Sequence, residues 1–110
     1  MLNKIGEIFQ QGDLICVKVH KIPQGVQKVS PKDKRYVLIE GEHTGHSHAI
    51  YEKGWGDMYE GEGKLYIDVK IPVEVRHEEH RPQIILPGVY EINRVREIDP
   101  FTEEVRSVQD

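Results

Sequence analysis

Glycine and proline are the strongest constraint on this chain. Ten glycines and six prolines are spread along it so evenly that the segments between them run to about 5–10 residues, the spacing of an all-β sandwich or barrel. A long amphipathic helix has nowhere to fit, which argues against a doubly wound α/β fold. At 110 residues the length suits one domain spanning residues 1–110. A globule of this size buries roughly two-thirds of its unfolded surface, enough for one modest core without disulfide staples.

Alternation of apolar and polar residues locates the strands. Residues 13–20 (DLICVKVH) place Ile15, Val17 and Val19 on one face, because successive strand residues point to opposite sides. Ile22-Pro23-Gln24-Gly25 reads as a turn. Residues 36–42, 47–52 and 64–70 read as further strands, the last with Leu65, Ile67 and Val69 on one face. Val73, Val75 and His77 share a face of the next. Residues 83–86 and 89–98 are strands around a Pro87-Gly88 turn. Leu2, Ile5, Ile8 and Phe9 have near-helical spacing, so a short N-terminal helix is expected, too short to be stable alone. Asp99-Pro100 resembles an N-cap with proline at the first helical position, so residues 101–105 suit a short helical turn, with residues 105–108 as an alternative closing strand.

The formal net charge of −4 conceals an asymmetry. Residues 1–38 hold seven Lys/Arg and three Asp/Glu; residues 39–110 hold eight and sixteen. Five of the six histidines lie in the acidic part: His43, His46, His48, His77 and His80. That balance points to a cation site and away from nucleic acid. No apolar run approaches the ~20 residues needed to span a bilayer, and residues 1–11 lack the apolar stretch of a secretory signal. The single Cys16 cannot form an internal disulfide, which favours a reducing compartment and a cytoplasmic location.

The chemistry concentrates in two short stretches. In Gly41-Glu42-His43-Thr44-Gly45-His46-Ser47-His48, a strand would put His46 and His48 on one face with Cα atoms about 6.5–7 Å apart. Both rings can then reach one ion at about 2.0–2.1 Å. The second stretch is His77-Glu78-Glu79-His80. On a regular strand His80 points away from His77, so the two meet one ion only if the strand ends or bulges at Glu78-Glu79. Pro82 makes such an ending plausible. Four imidazoles from two segments suit zinc, iron, nickel, copper or manganese better than calcium or magnesium. Glu79 is the candidate catalytic residue, as a general base or as a partner orienting a ligand. Four ligating imidazoles would close a tetrahedral site, whereas three leave a position for substrate.

Other candidates are weaker. The glycine-rich residues 53–63, with Trp55, Met58 and Tyr59, read as a long hairpin loop with Trp55 at the core edge. The alternative is a flap over the histidines. Lys28, Lys32, Lys34 and Arg35 read as a solvated basic loop without a nucleic-acid motif. Cys16 and His20 are too far apart along one strand, about 13 Å, to form a catalytic pair. Ser47 faces away from the flanking histidines. His20 and His43 read as surface groups.

Two resemblances rest on these stretches. His46-X-His48 followed by Glu52 resembles the first motif of the cupins, which implies a small β-barrel with a metal-ligating strand. The spacing from Gly41 is one residue short, Tyr59 stands where that motif closes on glycine, and Glu91 stands where a second motif would carry histidine. The layout also resembles a group of small uncharacterised bacterial and phage-type proteins. That likeness is carried by Gln11-Gly12-Asp13-Leu14-Ile15, Gly41-Glu42-X-Thr44-Gly45-His46-X-His48, His77-X-Glu79-His80-X-Pro82-X-Ile84-X-Leu86-Pro87-Gly88-X-Tyr90 and Arg96-Glu97-Ile98-Asp99-Pro100. It implies that His46, His48, His77, Glu79 and His80 belong to one set.

Two function classes follow. The first is a small metal-binding β protein, the ion (zinc, iron, nickel or manganese) held by His46, His48, His80 and His77, with Lewis-acid or hydrolytic chemistry open if three ligate. The second is a non-enzymatic binding or assembly module, with structural or pH-sensing histidines. Exposed edge strands make a homo-oligomer an expectation under both. The other partner, small molecule or macromolecule, is left open by the sequence, with no membrane expected.

Overall fold

A computed structural model describes residues 8–41 and 46–95. The strands, in chain order, are β1 (Ile8–Gln11), β2 (Leu14–Val19), β3 (Gln27–Val29), β4 (Tyr36–Glu40), β5 (Ser47–Ile50), β6 (Gly56–Gly61), β7 (Lys64–Val69), β8 (Val73–Val75), β9 (Gln83–Ile85) and β10 (Gly88–Arg94). Six form an antiparallel sheet in the order β1-β2-β10-β7-β6-β3. The pairs β4-β5 and β8-β9 make up the rest. Reciprocal backbone bonds of 2.9 Å between Ala49 and Arg76 tie β5 to the end of β8, so these four strands continue one another.

The protein is all-β and sandwich-like. Leu14, Cys16, Ile67, Val69, Tyr90 and Ile92 from the large sheet share one core with Leu38, Ile50, Val73, Val75 and Ile85. The large sheet ends at β1 and β3, so the described strands form no closed barrel.

Several expectations change. Ile8 and Phe9 lie in β1, not in a helix. The β1-β2 ladder and the packing of Phe9 on the core outweigh a weak helical spacing, while Ile8 stays exposed. Residues 1–7, the cap and turn at 99–105 and the alternative strand at 105–108 lie outside the described residues. The main core face of β2 is Leu14 and Cys16, whereas Val17 and Val19 are only half-buried. Both faces of that strand carry apolar side chains, and alternation alone cannot choose between them.

Residues 53–63 are not a loop throughout. β6 starts at Gly56 and pairs with β7 over its whole length, from Gly56 opposite Val69 to Gly61 opposite Lys64. The connection is the two-residue turn Glu62-Gly63, with φ of 52° and 79°. Two successive positive φ values suit the hairpin turn whose twist matches the strands. The basic stretch contributes β3, with Lys28 3.5 Å from Asp57. Trp55 is wholly buried and meets Tyr36 edge-on at 5.2 Å. Its carbonyl accepts a bond from the Lys70 amide. It is a core residue and not a lid.

Candidate metal centre

Three separate segments build one corner of the molecule. The first is the approach to β5 and its first residues. All four residues of β5 are buried, and the Gly41 amide donates to the His46 carbonyl at 2.7 Å, closing the β4-β5 connection. A bulge lies between Val37 and Ile39, so that Ile39 sits opposite His48. Such an extra residue re-aims the neighbouring side chains. His48 is 4% exposed, and His46 stands at the mouth with its side chain 28% exposed.

The second segment follows β8. Strand pairing stops at Val75 and a single bridge at Arg76, after which residues 78–80 bend. The break falls before His77, earlier than the Glu78-Glu79 position to which the spacing points, so His77 lies outside the strand and does not share a strand face with Val73 and Val75. The bend turns the His80 ring back to within 4.5 Å of the His77 ring. His77 lies 4.3 Å from His48 and 5.5 Å from His46, centre to centre, and His48 lies 5.9 Å from His80. An ion ligated tetrahedrally at 2.0–2.1 Å holds two imidazole ring centres about 5 Å apart. The observed separations bracket that value.

The third segment was missed in the sequence: the β1-β2 turn. The Gln11 side chain is 1% exposed. Its amide nitrogen donates to the carbonyls of Val75 and Arg81, both at 2.9 Å. Its oxygen lies 2.8 Å from His48 Nδ1. Gly12, at φ +57°, carries the His80 ring against its backbone: a Cβ there would fall 2.5 Å from His80 Nε2. Asp13 lines the cavity and pairs with Arg94 at 3.2 Å. Arg94 also donates to the Glu40 carbonyl at 2.6 Å. Gln11-Gly12-Asp13 lies within the first stretch that carried the second resemblance, but nothing local marks its role.

The cavity between these segments measures about 170 Å³ and is lined by His46, His48, His77, Glu79 and His80 among others. All four candidate ligands and Glu79 therefore meet at one place. The tightest set of ligating atoms is a different one. His46, His77 and Glu78 each place one such atom within 4.8 Å of the others. Glu78 was not expected. Its carboxylate accepts the Ser47 amide at 3.0 Å, and this bond, its own backbone amide and the nearby histidines hold its pKa below the usual range. Glu79 is 66% exposed along its side chain and lies 3.6 Å from His46 Nδ1.

Burial, followed by the charges His77 and His80 would carry, pushes the His48 pKa down to about 4. Burial and His80 lower that of His77 as well. Both rings are therefore neutral near pH 7, the form that ligates. The Glu79 amide donates to His77 Nδ1 at 3.0 Å, so the lone pair of that nitrogen is in use. Of the remaining candidates, Cys16 is buried and its thiol is pushed up by burial, and His20 is exposed. The Ser47 hydroxyl accepts a bond from Arg35 at 2.8 Å. His43 lies outside the described residues.

Residues 10–95 match the model of the family described as Domain of unknown function (DUF8820), and the chain belongs to that family. No curated protein and no solved structure matches it.

Proposed function

We propose that this DUF8820 domain binds one divalent transition-metal ion at the histidine corner. One observation carries the reading: two segments 31 residues apart bring His46, His77 and Glu78 within mutual ligand distance, and pack the His48 and His80 rings on His77. Imidazole nitrogen with one carboxylate suits zinc, iron, nickel or manganese. If three of these groups ligate, a tetrahedral ion keeps one position open. Glu79, beside His46, is then the group placed to take a proton, and the chemistry would be hydrolytic or otherwise Lewis-acid. Glu79 at the rim favours the approach of a cation, while the Asp13 charge is offset by Arg94.

Purified without a histidine tag, the protein is expected to hold about one transition-metal ion and to melt lower after chelation. An ion at 100 times its Kd stabilises a fold by about 2.7 kcal/mol. His46→Ala/His77→Ala should lose both the ion and the shift. A metal-free protein whose melting ignores chelator and added zinc, iron, nickel and manganese overturns the proposal. A second reading, a metal-free assembly module, is favoured by Ile8, Ile84 and Leu86, which are 45%, 52% and 61% exposed and line one groove. Under that reading the same metal-free protein runs as a closed oligomer.

A further inference from the structure

We infer that Gln11 is a positioning residue that fixes the tautomer of His48 and so makes His48 Nε2 the nitrogen offered to the ion. The Gln11 amide group has two N–H bonds, and each meets a backbone carbonyl, Val75 and Arg81 at 2.9 Å. Carbonyls only accept, so the amide cannot be turned over without setting its oxygen against two others. Its oxygen is therefore the atom 2.8 Å from His48 Nδ1, and that nitrogen must carry the proton. In a neutral ring the lone pair is then on Nε2. A ligating histidine commonly donates its other N–H in this manner, which fixes ring orientation and raises basicity.

Gln11 does more than orient one ring. Val75 and Arg81 stand at the two ends of the segment that carries His77 and His80. One buried side chain thus holds His48 and both ends of the facing segment at fixed separation. Its neighbour Gly12 supplies the floor under His80. The β1-β2 turn is a brace for the whole cluster, although it provides no ligand. The tautomer assignment stands on hydrogen bonding alone; its consequence for binding rests on the metal reading above.

The test separates the two. In metal-free protein near pH 7.5, a two-bond ¹H–¹⁵N spectrum should show His48 with the proton on Nδ1, the signal being assigned by its absence in His48→Gln. In Gln11→Leu the ring should shift toward the Nε2–H form that free histidine prefers, and the Kd for zinc should rise on the order of 10–100-fold. Gln11→Glu keeps an oxygen acceptor for His48 Nδ1–H but sets its second oxygen against the Val75 and Arg81 carbonyls, so where it folds it should retain the Nδ1–H form while losing the brace and zinc affinity. If Gln11→Leu does not fold, the wild-type spectrum decides. A wild-type His48 protonated on Nε2, or a folded Gln11→Leu that binds zinc as tightly as wild type, overturns the inference. A wild-type ring in the Nδ1–H form with no zinc binding keeps the tautomer assignment and removes the metal reading instead.

Discussion

The two sides of the histidine corner use the same residue type on different footings. His48 sits in a strand whose four residues are all buried, with its Nδ1 held by Gln11. His77 and His80 sit in a bent connection, half-buried and exposed. The strand side is preset: its ring orientation and tautomer are decided by the fold. Under the proposed metal reading the connection side would have to adjust, because the Glu79 amide occupies His77 Nδ1. Binding through that nitrogen displaces the amide. Binding through Nε2 moves the ring proton to Nδ1, where the amide already points. A site built this way spends its rigidity on one wall and leaves the other able to close on an ion.

The largest expected effect breaks the symmetry between the two sides directly. His48→Ala removes a buried ring and strands the Gln11 oxygen, so it should cost about 3 kcal/mol of metal-free stability. His80→Ala removes an exposed ring and should stay within about 0.5 kcal/mol. Both should weaken zinc binding. Urea unfolding in chelator, beside zinc titration, reads the two quantities separately. Equal stability losses would mean that the walls are not different in kind.

Acid sharpens the same contrast. The His48 pKa is about 4 in the fold against 6.5 for an ordinary histidine. Above pH 6.5 the ring is neutral in both states and contributes no pH dependence. Between 6.5 and 4 the unfolded chain takes up a proton that the folded ring refuses, so stability falls as pH drops through that window and levels below it. His77 shifts in the same direction. The groups acting on His48 are His77, His80 and Arg94, which oppose its protonation, and Glu78, which favours it. His48→Gln should flatten the metal-free stability profile between pH 6.5 and 4, measured by melting in chelator. An unchanged slope would place the acid sensitivity elsewhere.

The legibility of these features follows their range. β7 and β8 were readable because Ile67, Val69, Val73 and Val75 alternate and are buried on one side. β6 was hidden because its glycines read as a loop, although its pairing partner β7 lies just beyond a two-residue turn. β3 is three residues at a sheet edge, too short and too polar to show alternation. The histidine pairs were legible as spacing, since i and i+2 or i+3 carry their own geometry. Glu78 and Glu79 could not be ranked, because the bend that separates them depends on where β8 stops pairing. Gln11 acts on carbonyls 64 and 70 residues away, and such a bond leaves no local pattern.

The smallest effect isolates the connection side. Gly12 has φ +57°, and a Cβ there would lie 2.5 Å from His80 Nε2 and 3.0 Å from its Cδ2. Gly25 has φ +84° with nothing within 4 Å of the same added atom. Both Gly→Ala changes impose a left-handed backbone on a residue with a Cβ, costing about 1–2 kcal/mol. Only Gly12→Ala also displaces a ring. Because His80 is exposed, its ring can swing outward, so the added stability cost over Gly25→Ala should be small. The cost should appear in zinc affinity, lower for Gly12→Ala and unchanged for Gly25→Ala. If Gly12→Ala binds zinc as Gly25→Ala does, His80 is not a ligand of the ion. The ligands would then be confined to His46, His48, His77 and Glu78, and the adaptable wall would reduce to a single ring.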